Sequence, residues 1–384
     1  MKKIIIIGSG LSGLSCAHYL DKSKFDVKIF EKRTVPGGRV SSEKIDGYIC
    51  DIGFQVLLNN YDEVKRLDVY NKLDLKYFDS GAEIFNNKGN LKVYNPIFHP
   101  IKFAKSNTFN IFTIPDIIKT LFLFINPKLK KQTVGELFKK IFSKKSRELF
   151  LNPFFKGVFL SKKLSTKADF FHKIFKKFAF GKASLPAKGM RYLPKAIIEV
   201  ADLKINYNME LKDVNNNTAV FSNGDTYDFD IIILACPLHN IKDITDIDVN
   251  ISYNENKTLY VSSLKKVLNK SILLIPDEHL MINSIQCLTN ISKKYSTKQD
   301  NLYSISTLFA DADDQVLLDE FINITKLNHN DINIVKSYTI KNSLPKTIAK
   351  LDPKNNLYFC GDWSQEASID GALKSGRLLA ESLN

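Results

Sequence analysis

Lys3-Ile4-Ile5-Ile6-Ile7-Gly8-Ser9-Gly10-Leu11-Ser12-Gly13, near the start of the 384-residue chain, decides the fold. The run Ile4–Ile7 is β-branched and unbroken, the pattern of a strand buried on both faces of a parallel sheet. Leu14, Ala17 and Leu20 follow at helical spacing, and Phe25-Asp26-Val27-Lys28-Ile29-Phe30 reads as a second strand ending in Glu31. The glycines therefore lie between a strand and a helix, with an acid 18 residues beyond Gly13. In that context a GxGxxG run binds a dinucleotide. Gly8 permits the tight turn, Gly10 lets a pyrophosphate approach the backbone, and Gly13 lets the helix pack close to the strand. Unpaired N–H groups and the helix dipole favour the phosphate charge, and Glu31 accepts from the ribose hydroxyls. The alternative is a glycine-rich turn that packs a helix and binds nothing.

Glu31 is followed by Lys32-Arg33-Thr34-Val35-Pro36-Gly37-Gly38-Arg39, an extension that NAD binding does not require. Arg39 is one of only 6 arginines beside 49 lysines, so its place is not compositional noise. This segment resembles the second half of the FAD fingerprint of the flavin-containing amine oxidase, phytoene desaturase and protoporphyrinogen oxidase superfamily. A second resemblance lies at the other end. Leu357-Tyr358-Phe359-Cys360 reads as a strand, followed by Gly361-Asp362-Trp363 and by Ser368-Ile369-Asp370-Gly371-Ala372, which opens a helix. The resemblance implies that the aspartate binds the ribityl or pyrophosphate region and that the helix start points at the flavin N1–C2=O edge, where charge develops on reduction. It assigns to FAD the residues Gly8, Gly10, Leu11, Ser12, Gly13, Glu31, Lys32, Gly38, Arg39, Met209, Gly361, Asp362, Ser368, Ile369 and Gly371. Met209 enters by its backbone, as the adenine contact of a meander strand. Gly371 costs helix propensity, which close approach to a ring would justify. Asp51-Ile52-Gly53-Phe54-Gln55 resembles the element that leads to the flavin face.

The five cysteines are widely spaced, with no CxxC, and the six histidines show no ligand spacing, so neither a disulfide framework nor a metal is expected. Cys236 and His239 lie close in sequence, but proximity alone does not make a nucleophile pair. Net charge is +14 and unevenly spread: residues 101–188 hold 20 Lys plus Arg against 4 acids, and 16 of the 27 phenylalanines. A basic, Phe-rich segment suggests contact with an anionic membrane and a route for a greasy substrate. The plainer reading is a solvated face over a phenylalanine core. No apolar run approaches the ~18 residues of a membrane span, and no nucleic-acid motif is present. The expected location is cytoplasmic, with peripheral contact at the inner membrane face.

The expected fold class is α/β: a Rossmann-like FAD-binding domain with a parallel sheet and a β-meander, plus an α+β substrate domain with a helical insertion. Residues 1–80, 186–240 and 345–384 are assigned to the first, and 81–185 and 241–344 to the second, with 101–185 helical. Ser42–Ile45 and Tyr48–Asp51 around Asp46-Gly47 read as a hairpin, and residues 61–73 as a helix. Pro127 and Pro153 read as helix breaks. Leu203–Ile205, Met209–Lys212 and Ala219–Phe221 read as the meander.

The implied activity is dehydrogenation of a hydrophobic small molecule by hydride transfer to flavin N5, desaturase-like or porphyrinogen-oxidase-like, with quinone or oxygen reoxidising the flavin. No catalytic side chain is assigned. Amine oxidases of the superfamily use a lysine near N5, and Lys257, Lys265 and Lys266 are the candidates in the right part of the chain. The alternatives are a flavin-dependent polyene isomerase, an amine oxidase, a non-catalytic lipophile-binding flavoprotein and an NAD-binding module. The two helix starts, near Gly10 and Ile369, are expected to converge on opposite ends of one FAD.

Overall fold

The structure, a computed structural model, describes residues 1–53, 55–125, 132–245, 247 and 251–384. Strand β1 (Lys2–Ile7) runs through Gly8–Gly10 into helix α1 (Leu11–Tyr19), and β2 (Phe25–Glu31) returns parallel to β1, with Ile4 opposite Val27 and Ile7 opposite Phe30. The complete sheet is parallel, in the order Ile205–Tyr207, β2, β1, Ile231–Leu234, Leu357–Phe359. The N-terminal strand β1 is thus central, and the strand nearest the C-terminus, Leu357–Phe359, forms one edge. The period of two explains why the isoleucine run is unbroken. Ile4 and Ile6 pack with Cys16, Ala17 and Ala380 on the helical side. Ile5 and Ile7 pack with Leu211, Phe221 and Trp363 on the other.

That other layer is an antiparallel meander of Leu211–Asn215, Thr218–Phe221 and Thr226–Asp228. The segment expected as its first strand belongs elsewhere: Ile205–Tyr207 pairs parallel with β2 as the sheet's edge. Leu203 and Ile205 pack against the helical layer, which draws them there.

The second large sheet has seven strands, in the order Asn333–Pro345, Tyr253–Ser263, Asn301–Thr307, Ile282–Cys287, Ile272–Leu274, Ala82–Ile84, Leu91–Val93. One face is apolar, and Leu317, Leu318 and Phe321 of the helix Asp314–Thr325 cover it. The hairpin at Asp46-Gly47 forms as expected, both turn residues taking positive φ (47° and 87°). The helix expected over 61–73 does not run through: Asp62–Arg66 ends near Asp68 at φ 51°, and a single 3₁₀ turn covers Tyr70–Lys72.

The described residues between 100 and 180 are mostly helical, as expected, around a cluster that includes Phe138, Phe155 and Phe171. Phe138 and Phe155 meet Phe171 edge-on at 5.1 and 4.9 Å. Pro153 does not break its helix. A π turn, Arg147–Leu151, leads directly into Asn152–Phe159, and the wider turn absorbs the missing N–H. Pro127 lies outside the described residues.

The C-terminal helix Ile369–Leu383 crosses α1 at Gly376, where a Cβ would sit 2.1 Å from the Ser12 carbonyl oxygen. The Ser15 hydroxyl donates to the Leu373 carbonyl at the same crossing (2.7 Å). Gly376→Val should therefore destabilise the protein by about 1–3 kcal/mol through overpacking. Denaturant unfolding of the purified protein measures this, with Ser382→Val on the exposed end of the same helix as the neutral control.

Candidate active site

The glycines of the first loop have separate jobs. Gly8 leaves β1 at φ 104°, and a Cβ there would lie 2.8 Å from the Ala235 carbonyl oxygen. A Cβ at Gly13 would lie 2.1 Å from the Gly8 carbonyl oxygen, so this glycine serves the strand–helix approach. Gly10 differs: no atom lies within 4 Å of the position its Cβ would take. It is also the N-cap of α1, with no side chain capping the helix. The first-turn N–H groups are left for an anion. Gly38 (φ 60°) lies against Gly10, its would-be Cβ 3.5 Å from the Gly10 Cα, and the Gly37 N–H donates to the Ser9 carbonyl (2.9 Å).

Glu31 is buried beside this loop. Its carboxylate accepts from the Ser9 N–H (2.9 Å), the Ser9 hydroxyl (2.8 Å) and the Arg33 N–H (3.0 Å). Those bonds fix the carboxylate at the rim and leave a lone pair for a ribose hydroxyl. Lys32 lies beside it, 3.6 Å from Glu210. Met209 is also at the rim, but its N–H already donates to the Glu31 carbonyl (2.9 Å). Leu211 is better placed to offer both backbone groups. Ser222 donates to Glu210 (2.9 Å), so Leu211, opposite Phe221 at the non-hydrogen-bonded position, turns its N–H and C=O away from the meander.

Arg39 joins three segments. One guanidinium nitrogen donates to Asp362 (2.7 Å) and another to the Ser343 carbonyl (2.5 Å). Burial opposes its charge, but the Asp362 carboxylate outweighs burial and holds the guanidinium protonated. At the C-terminal helix, Ser368 is the N-cap, its hydroxyl accepting from the Gly371 N–H (2.9 Å). Gly371 is explained by its own loop, since a Cβ would sit 2.0 Å from the Glu366 carbonyl oxygen. A ring approaching that position is not needed to account for it.

Of the residues selected from sequence, all but Gly13 and Gly371 line one cavity of about 1600 Å³. Gly53 and Gln55 line it too, and Phe54 lies outside the described residues. Asp51 does not line it. Its carboxylate is buried and accepts from Ser42 (2.5 Å), Tyr295 (2.7 Å) and the Met190 N–H (2.9 Å), and its carbonyl accepts from the Tyr260 hydroxyl of the second sheet (2.8 Å), tying the hairpin to that sheet. Beyond the cofactor end the cavity runs between the second sheet and the helical segment, where Phe150, Phe154, Phe155, Phe159, Phe175 and Phe178 form its wall.

The three candidate lysines do not reach this space. Lys257 pairs with Asp314 (2.8 Å) on the opposite face of the sheet, Lys265 pairs with Asp331 (2.6 Å), and Lys266 does not line the cavity. For Lys257 strand alternation is the reason: the residue before it, Asn256, faces the cavity and accepts from the Ser343 hydroxyl (2.6 Å). Asn256 and Ser343 escaped the sequence reading, although the alternation of the strand holds that signal. Cys236 lines the cavity, but burial pushes its thiol up to about 12, and the His239 ring lies edge-on to Tyr253. No group of side chains among the described residues could hold a metal ion.

A parallel sheet with a meander, joined to a second sheet across one cavity, defines the fold of FAD-dependent oxidoreductases. Residues 11–263 match the family described as flavin containing amine oxidoreductase, about two thirds of the chain. The chain belongs to that family, and its cofactor is FAD. A 1-hydroxycarotenoid 3,4-desaturase from Flavobacterium sp. (strain P99-3) is 24% identical over 288 residues, covering 61% of this chain and 56% of the desaturase. The chain thus spans about half the length of that relative, and 11% of a zeta-carotene-forming phytoene desaturase from Myxococcus xanthus that is 39% identical over 57 residues. Among solved structures, an oxidoreductase from Methanosarcina mazei superposes with a TM-score of 0.78 at 15% identity, covering 99% of this chain and 100% of that one.

Two outcomes follow. Asp362→Ala leaves Arg39 without its carboxylate, and FAD retention should fall by about tenfold or more, read as flavin per protein after dialysis. Cys236 stays a thiol through neutral pH because its folded-state value lies far above the ordinary 9.0. Its alkylation by iodoacetamide, followed by peptide mass, should rise roughly tenfold per pH unit from pH 8 to 10 with no plateau. A plateau below pH 9 would show an activated thiolate.

Proposed function

We propose that the protein dehydrogenates an elongated apolar molecule, desaturase-like or porphyrinogen-oxidase-like, by hydride transfer to FAD. One observation carries the reading: a single cavity runs from the Gly10 and Glu31 rim to a wall of phenylalanine rings. At about 1600 Å³ it exceeds the ~300–1,000 Å³ typical of one small-molecule site. Bound FAD supplies the two-electron acceptor. The α1 N–H groups hold its pyrophosphate, Glu31 accepts from its ribose, and Leu211, rather than Met209, meets its adenine by backbone. Arg39 with Asp362, and the N-terminus of the helix at Ser368 and Ile369, hold the other half. The phenylalanine wall orients the substrate and keeps water away. Residues 1–80, 186–240 and 345–384 form the cofactor half, and the remainder the substrate half.

The placement of Lys257, Lys265 and Lys266 outside the cavity favours carbon–carbon dehydrogenation over amine oxidation. A polyene isomerase uses the same cavity without net redox change. Purified protein should be yellow and should release FAD on denaturation. Under anaerobic conditions a polyene or a porphyrinogen should bleach the flavin, and putrescine should not. Bleaching by putrescine would overturn the reading, and isomerised polyene without bleaching would replace it with the isomerase. Quinone or oxygen serves as the final acceptor.

An anionic membrane surface is the proposed place of work. No helix among the described residues is long and apolar enough to cross a membrane. The helix Ile114–Ile125, however, exposes Ile114, Ile118, Leu121 and Phe122, in the segment with 20 basic residues against 4 acidic. Such a face suits an interfacial helix. Flotation with anionic vesicles should recover the protein, and Ile118→Glu with Phe122→Glu should reduce recovery by about tenfold. Equal recovery by the double variant, or none by the parent protein, would exclude this surface.

A further inference from the structure

The two faces of the seven-stranded sheet differ in a way that packing does not explain. Directly opposed residues on neighbouring strands share a face. On the face away from the cavity these are Leu259, Ile305 and Ile285, packed under the covering helix. On the cavity face, Thr258 lies opposite Ser306 and Ser306 opposite Ser284, while Ser304 lies opposite Gln286. All five are at most 3% exposed. A buried sheet face is ordinarily apolar, because each polar group placed there loses its water. This face is polar across three strands, and Ser284 and Gln286 are the two of the five that line the cavity.

Two of its neighbouring atoms remain open. Gln286 lines the cavity, and its side-chain nitrogen is buried and makes no hydrogen bond to any described residue. The Ser80 hydroxyl has the same standing. Both belong to one corner of the wall. Ser271 accepts from the Cys287 N–H through its carbonyl (3.0 Å), and its hydroxyl accepts from the Asp79 N–H (3.3 Å). The segment carrying Ser80 is thereby held at the end of the strand carrying Gln286. An unpartnered buried donor costs about 1–3 kcal/mol, and a ligand atom removes that cost.

We propose that this corner recognises a hydrogen-bond-accepting oxygen on an otherwise apolar substrate, with Gln286 as principal donor and Ser80 as the second. The substrate class is thereby an oxygenated chain or ring, an alcohol or ketone, rather than a pure hydrocarbon. A carboxylate fits less well, because the cation beside Ser271 is already engaged. The Lys270 ammonium donates to the Ser80 carbonyl (2.9 Å) and lies 4.1 Å from the Tyr94 ring centroid. The oxygen fixes which stretch of the chain lies at the cofactor end, so Gln286 sets regiochemistry rather than performing the reaction. This inference rests on the proposed function only in taking the cavity as the substrate site.

The test titrates holoprotein with dodecane and with the methyl ketone of the same chain length, following the perturbation of the flavin absorption bands. Gln286→Met keeps the volume and removes the donor. The preference for ketone over alkane should fall by about tenfold in Gln286→Met and by a smaller factor in Ser80→Ala, with alkane affinity unchanged within about twofold. Comparing the ratio between proteins cancels the different solubilities of the two probes. An unchanged ratio in both variants, or equal loss of both ligands, would overturn the proposal. Anaerobic bleaching by a polyene is scored separately. Its failure with the ketone preference intact counts against the dehydrogenase alone, and the reverse pattern counts against the oxygen-reading corner alone.

Discussion

The contact between Arg39 and Asp362 is the constraint on which the site depends. It links the first glycine fingerprint to the motif that opens the last helix, 323 residues away, and through the Ser343 carbonyl it also ties in the second sheet. Both partners lie where three segments of chain meet the cavity. A guanidinium is suited to this role because its fork can satisfy a carboxylate and a carbonyl at once. A lysine would offer a point charge and would fix neither direction. The rarity of arginine in this lysine-rich chain fits that demand.

Around this contact each β element divides its two faces between different tasks. Ile4 and Ile6 of the first strand face the helices, and Ile5 and Ile7 face the meander. In the second sheet, alternation sends Lys257 outward to Asp314 and Asn256 inward to the cavity. The same rule that builds the core therefore turns the Lys257 ammonium away from the cavity and the Asn256 amide into it. A side chain's role here is set first by its parity along a strand and only then by its chemistry.

Much of this was legible in the sequence because it depended on short-range patterns. The strand–glycine–helix–strand unit, the Asp46-Gly47 hairpin and the strand before Gly361 are each fixed by a few adjacent residues. The misread elements were decided by contacts that the pattern of adjacent residues does not display, whether near or far along the chain. Leu203 and Ile205 look like a meander strand until β2 offers a parallel edge. Pro153 looks like a helix break until a π turn precedes it. Met209 was chosen by resemblance to other flavoproteins, and the register of Glu210 with Ser222 brings the backbone of Leu211 to the same rim. Gly371 was read as room for a ring, whereas the loop at Glu366 already accounts for it. Asn256, Ser343 and Gln286 could be found only once it was known which face of their sheet is covered.

The crossing of the C-terminal helix over α1 has a consequence for how the protein is made. While the ribosome is still adding residues, the fingerprint near the N-terminus lacks the final strand of its sheet, the carboxylate for Arg39 and the helix that seats Gly376 on Ser12. Closure of the cofactor half therefore waits on residues 357–376, and the fingerprint around Gly10 cannot complete its site before they are made.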